Sequence, residues 1–440
     1  MRDKILGGNR FSSLHDSTSF PISAIHFLFH FEYPDMEAKV SGIIIPKECP
    51  LPDEEESDSS FLLEKSLQRG RFASLVCLLL GAIFWVSVFS SHLKAQEAEE
   101  KKGLIRPSTK LVIPLIFYAP ETRLGFGAAG LLGFRFASED IDSRPSNIQA
   151  GGAYTLENQI LLYLSYQTFW KDIDWQSYGE IGYYRYSYFF YGIGNDPGQR
   201  GEELYEVNFP RIRLHLLRRL TGKLYGGAEL WLDDQRIMNV EEGGLLEGGK
   251  IAVPGAQGGR AFAPGIMLSY DSRDQVNYPG NGIFAIFESR FSQKALGSEF
   301  NYWRSSLDAR AYLTLPWNHI LASNLYIENI EGEAPFFAMA TMGGNKRMRG
   351  YYEGFYRDRK YVTLQFSYRM PLVWRFKLQL FGAAGGVGRE WQEISQEDIR
   401  STYGAGLRFQ INDEDNIHIR FDAAFGRETQ GFYLTVGEAF

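Results

Sequence analysis

A chain of 440 residues carrying a formal net charge of −7 is long enough for two or three soluble domains, or for one large barrel. The mild acidity argues against a nucleic-acid partner, which needs a basic footprint. Its two cysteines, Cys49 and Cys77, leave everything beyond them without a disulfide framework or a cysteine metal site.

Residues 1–68 hold an acidic run, Asp53-Glu54-Glu55-Glu56-Ser57-Asp58, and scattered apolar clusters without a sustained period. They read as disordered, or as an extension ahead of the true start. Residues 69–95 have the order of a secretory signal. Lys65, Arg69 and Arg71 precede the apolar run 72–89, and Ser90, Ser91 and Ala95 follow it, with cleavage expected after Ala95. A transmembrane anchor is the rival reading of that run. A lipoprotein reading fits poorly, because Cys77 lies inside the apolar core. Residues 96–110 form a short polar linker, leaving 111–440 for the barrel.

From there the chain reads as strand after strand, with turn chemistry between. The first eight are expected over 111–118, 124–136, 148–156, 161–170, 176–192, 205–217, 224–237 and 261–272. The next four cover 283–292, 301–315, 320–330 and 360–370, and the last four 376–388, 403–411, 417–425 and 432–440. The apolar positions recur with a period of two: Ile212, Leu214 and Leu216, then Ala228, Leu230 and Leu232, then Ile417, Ile419 and Phe421. Between them stand Arg211, Arg213 and His215, then Glu229, then His418, Arg420 and Asp422. A soluble sandwich and a membrane barrel share this alternation. The signal, aromatic residues near strand ends (Tyr183 to Phe190, Trp303, Trp374) and the terminal Phe440 favour the barrel. The expected fold is all-β, a transmembrane antiparallel β-barrel of about sixteen strands. Its turns at 316–319 and 412–415 are short, as periplasmic turns are. The connections at 238–260 and 389–402 are long, as extracellular loops are.

The stretch 341–358, TMGGNKRMRGYYEGFYRD, is too long for a hairpin turn. It reads as a loop folded back into the barrel, with a flexible surface loop as the plainer alternative. Here a resemblance enters. Gly343-Gly344, then Met348-Arg349-Gly350-Tyr351, then Tyr356-Arg357-Asp358 and a strand ending Tyr368-Arg369-Met370-Pro371-Leu372 resemble the bacterial surface antigen family of BamA/TamA-type outer-membrane barrels. Tyr270 to Asp274 with Pro279 to Gly282 beyond it, and Gly404 to Phe409 with Arg420-Phe421-Asp422, resemble two further stretches of that family.

The resemblance implies a lumen-inserted Arg-Gly-Tyr loop made by Gly343, Gly344, Arg349, Gly350 and Tyr351. It implies that Arg349 pairs with an acid on a late strand. Asp422, turned inward by the alternation, is the first candidate, and Glu328 or Asp308 the alternative. The sequence departs from the family at Phe381 to Gly385, where members usually carry an acid and this chain has Ala383. Asp271, Arg273, Asp274, Pro279 and Gly282 read as a turn motif that fixes register. Phe432, Leu434, Val436 and Phe440 are expected on one side of the last strand, as a C-terminal assembly signal. Residues 96–110 leave no room for a periplasmic POTRA repeat, so the resemblance is to a member lacking them.

No enzyme is expected. His215, His319 and His418 have no nucleophile or metal spacing, and an outer-membrane lipase would need more than two lumen-facing residues such as Ser367 and His418, namely a Ser-His pair oriented by a third group. No cofactor is implied. The function implied is insertion or translocation of proteins at the bacterial outer membrane. Its partners would be the membrane lipid, unfolded clients and separate periplasmic proteins. The alternative is a passive pore, plugged receptor or structural surface barrel.

Overall fold

The computed structural model describes residues 43–44, 105–119, 123–138, 146–170, 173–195, 202–247, 253–395, 398–412, 416–427 and 429–440. The readings made for 1–68, 69–95 and 96–104 lie outside these, apart from the two-residue strand Ile43–Ile44.

Sixteen antiparallel strands follow one another around a single sheet. They are β1 (Ile105–Ala119), β2 (Arg123–Phe136), β3 (Ser146–Thr155), β4 (Ile160–Trp170), β5 (Trp175–Phe190) and β6 (Glu203–Thr221). Next come β7 (Leu224–Asn239), β8 (Gly259–Asp271), β9 (Gly282–Ser292), β10 (Tyr302–Leu315) and β11 (His319–Gly332). The series ends with β12 (Lys360–Pro371), β13 (Phe376–Gly388), β14 (Arg400–Asn412), β15 (Ile417–Phe425) and β16 (Gln430–Val436). Each expected strand has its counterpart. The first starts earlier than expected, so residues 105–110, read as linker, belong to the sheet. The reason is the length of β2, whose ladder runs on to pair Phe136 with Ile105 across an irregularity at Pro107. Proline has no N–H to give to a ladder.

The sorting of side chains separates a membrane barrel from a soluble sandwich. On β12, Thr363, Gln365 and Ser367 are buried, while Leu364 and Phe366 are 42% and 49% exposed. Elsewhere Arg213, Glu288, Arg369, Arg408 and Arg420 are buried, while Leu216, Ile266, Leu268, Ile419, Phe421 and Leu434 are exposed. Water would penalise this inside-out arrangement, and hydrocarbon favours it. Trp317 and Trp374 stand exposed in the short turns and Trp303 at the long-loop end, as interface aromatics do.

The sheet is not closed by strand pairing. β1 has a register with β2, and β16 has one with β15 and with Ile43–Ile44; none joins β1 to β16 among the described residues.

Candidate functional site: the lumen loop

After β11 the chain turns through Phe336–Ala338, then forms a short ribbon in which Ala340–Met342 pairs with Tyr356–Asp358. The tip between these strands carries the glycines. Gly350 has φ +109°, a conformation that L side chains rarely adopt, and its backbone lies against the β15–β16 turn. A Cβ there would stand 3.0 Å from the Gly426 nitrogen. Gly343 and Gly344 also take positive φ. The flexible-surface-loop reading gives way: Met348, Arg349, Gly350 and Tyr351 are all buried. Met348, Tyr351 and Tyr356 pack in one apolar cluster with Tyr326, Tyr361 and Val387 of the wall.

Polar contacts hold the tip across the lumen. Arg349 Nη1 donates to Asp422 Oδ2 at 2.6 Å, and its guanidinium lies 3.5 Å from the centre of the Phe381 ring. Asp422 also receives Arg408 on Oδ1 and lies 3.5 Å from Arg420 Nε. One carboxylate thus serves three buried guanidinium groups, and Glu438 takes the other side of Arg408 at 3.3 Å. The close pair needs Gly406, where a Cβ would come within 1.9 Å of Asp422 Oδ1 and 2.2 Å of Arg408 Nη1. The Gly350 N–H donates to Tyr433 Oη at 2.8 Å, and Tyr351 Oη accepts from the Arg427 N–H at 2.9 Å. Asp308 and Glu328 serve other partners. Asp308 pairs with Arg310 and with the loop's Arg347, Glu328 with Arg304. Ala383 packs against the loop's apolar cluster, so the late-strand acid in contact with Arg349 is Asp422 and its neighbour on β13 is aromatic. The loop leaves a cavity of about 200 Å³ toward β6–β11, lined by Arg211, Trp231, Arg304 and Arg347 among others.

The turn residues sit together between β8 and β9. Arg273 donates to Asp271 at 2.8 Å, and Asp274 accepts the N–H groups of Gln275, Gly280 and Asn281. Gly282 has φ +112° and Pro279 is buried. The contacts made are those of a turn.

The C-terminal expectation needs correction. Leu434 is exposed and Phe432 half-buried on β16, but Phe440 is buried inside and not on their side. Gly437, at φ +83°, ends the strand after Val436 and breaks the alternation. Phe440 then packs with Tyr312 and Ala322, and its carbonyl oxygen accepts from Arg369 at 2.6 Å. Sequence reasoning missed this tail, together with Glu438 and Phe381. The glycine at 437 was the available signal.

Comparison with known proteins bears on this geometry. The family model described as the Omp85 superfamily domain matches residues 260–440, from β8 through the loop to the tail. Among solved structures, the chain is similar to BamA from Haemophilus ducreyi lacking POTRA domains 1–3, at 14% identity and a TM-score of 0.52. The match covers 74% of this chain and 70% of that one, and such a likeness speaks to the fold alone. CdiB from Acinetobacter baumannii matches at 11% identity and TM-score 0.47, over 76% of this chain and 60% of that chain. CdiB from Escherichia coli matches at 10% and 0.48, over 77% and 62%. No curated protein sequence matches the chain. The matched residues 260–440 include Arg349, Phe381, Arg408, Asp422 and Glu438, so the whole network around Asp422 lies within the match.

Proposed function

We propose that this chain works in the bacterial outer membrane, inserting client proteins into that membrane or passing them across it, without an enzymatic step. The observation that carries the reading is the seam. Strands β2 to β15 are paired on both edges, whereas β1 and β16 have no register with each other among the described residues. The outer edge of β16 already takes up a second segment at two positions, with Ile43 opposite Phe432 and Ile44 opposite Gly431. Unpaired N–H and C=O groups on an edge are a template for another strand. A client strand added there would satisfy them by β-augmentation. The Omp85 domain match and the resemblance to BamA/TamA-type assembly factors support the same reading. The Arg349 loop, anchored on β15 one strand from the seam, is placed to hold that wall in register.

The test is a folding assay with the full chain reconstituted in proteoliposomes. The folding rate of an unfolded outer-membrane protein is measured with wild type, with Arg349→Ala, and with neither. A rate increase that the substitution diminishes supports the proposal. No increase, together with steady ion conductance in a planar bilayer, moves the chain to the passive-pore class.

A further inference from the structure

On the wall away from Arg349, one row of inward positions crosses five strands. Tyr178 on β5 stands opposite His215 on β6, His215 opposite Glu229 on β7, Glu229 opposite Gly265 on β8, and Gly265 opposite Arg290 on β9. Glu288, two residues before Arg290, shares that face. His215, Glu229 and Glu288 are all buried, and one ligand atom from each lies within 4.8 Å of the others.

Glu229 has the most telling environment. It is 3% exposed, and neither carboxylate oxygen has a hydrogen-bond partner. Its Oε2 lies 3.6 Å from His215 Nε2, and its Oε1 3.8 Å from Arg290 Nε. Both gaps are too long for hydrogen bonds. A buried carboxylate without such bonds is costly. Arg290 gives its close contact to Glu288, at 2.9 Å, and Ser306 Oγ also donates to Glu288, at 3.2 Å. Two carboxylates therefore face one guanidinium.

The 3.6 Å gap has a natural occupant. Zinc bonds to imidazole nitrogen and carboxylate oxygen are about 2.1 Å, which puts neighbouring ligands of a tetrahedron about 3.4 Å apart. Space for the ligands comes from Gly265, where a Cβ would stand 2.7 Å from Glu229 Oε1 and 2.7 Å from Arg290 Cβ. The His215 ring is steadied by stacking on Tyr178 at 4.3 Å. An imidazole with two carboxylates suits a transition cation, whereas calcium takes six to eight oxygens. We propose that His215, Glu229 and Glu288 bind one divalent transition cation, tying β6, β7 and β9 together inside the lumen.

The experiment uses the full chain in detergent, stripped with a chelator and titrated calorimetrically with Zn²⁺. One ion per chain is expected, and Co²⁺ in its place should show the absorption of a tetrahedral site. Glu229→Gln should weaken binding by more than about tenfold. Gly265→Ala, which keeps all three ligands but fills the cradle, should weaken it as well. Heat-modifiable gel mobility reports that each variant is folded. Absence of binding by wild type would overturn the proposal, as would binding that Glu229→Gln leaves unchanged. So would an infrared band of a protonated carboxyl that persists with Zn²⁺ present and vanishes in Glu229→Gln.

Discussion

Asp422 accepts contacts from three guanidinium groups, and this makes its loss unequal to the loss of any one partner. Replacing Arg349 by Ala removes one charge-assisted bond, worth about 1.5–3 kcal/mol. It also removes a cation–π contact over Phe381 worth about 0.5–2 kcal/mol. Asp422 would keep Arg408 and Arg420. Replacing Asp422 by Asn instead leaves three buried guanidinium groups with Glu438 as the remaining acid of the cluster. Breaking a buried ion pair from one side costs about 3–5 kcal/mol, so the Asn variant should be the less stable. Because both changes delete the same 2.6 Å bond, the double variant should cost less than the sum by about 1.5–3 kcal/mol. Denaturant unfolding in lipid vesicles, followed by tryptophan fluorescence, measures all four corners of the cycle. A coupling below about 0.5 kcal/mol would refute the claim that this bond anchors the loop.

Three other predictions concern different parts of the molecule. Gly406→Ala places a methyl group on the Asp422–Arg408 contact and should cost about 1–3 kcal/mol, read as an earlier loss of heat-modifiable mobility. Phe366→Arg, on the outer face of β12, should cost about 2–4 kcal/mol in lipid if the site is near the bilayer midplane; a neutral result would contradict the assignment of that face to lipid. Phe440→Ala should lower the stability of the folded barrel by about 3–5 kcal/mol, because the ring packs inside against Tyr312 and Ala322. If Phe440 served only as an exposed signal, unfolding would be unchanged.

Much of the fold was legible because a period of two survives along many strands, and each expected segment overlaps an observed one. Asp422 could be named as the neighbour of Arg349 because the resemblance implied an acid on a late strand and alternation turns Asp422 inward there. What alternation cannot carry is the geometry between non-adjacent strands. Whether Arg347 reaches Asp308, or Arg408 reaches Glu438, depends on stagger around the barrel, which no local pattern records. The tail was misread for a related reason: counting by twos from Phe432 reaches Phe440 only if the strand continues, and Gly437 stops it. Phe381 as a support for Arg349 was hidden because the resemblance directed attention to a carboxylate in that strand, where Ala383 stands.

The seam is tested most directly by photo-crosslinking. A light-activated amino acid is placed at Leu434, on the edge of β16 beyond the two positions paired with Ile43–Ile44, or at Leu268, exposed on β8 within a fully paired stretch of sheet. Each variant is then illuminated while an unfolded outer-membrane client folds in its presence. Crosslinks to the client from position 434 and not from 268 are the predicted result. Equal labelling from both positions, or none from either during folding, would contradict a client-accepting seam.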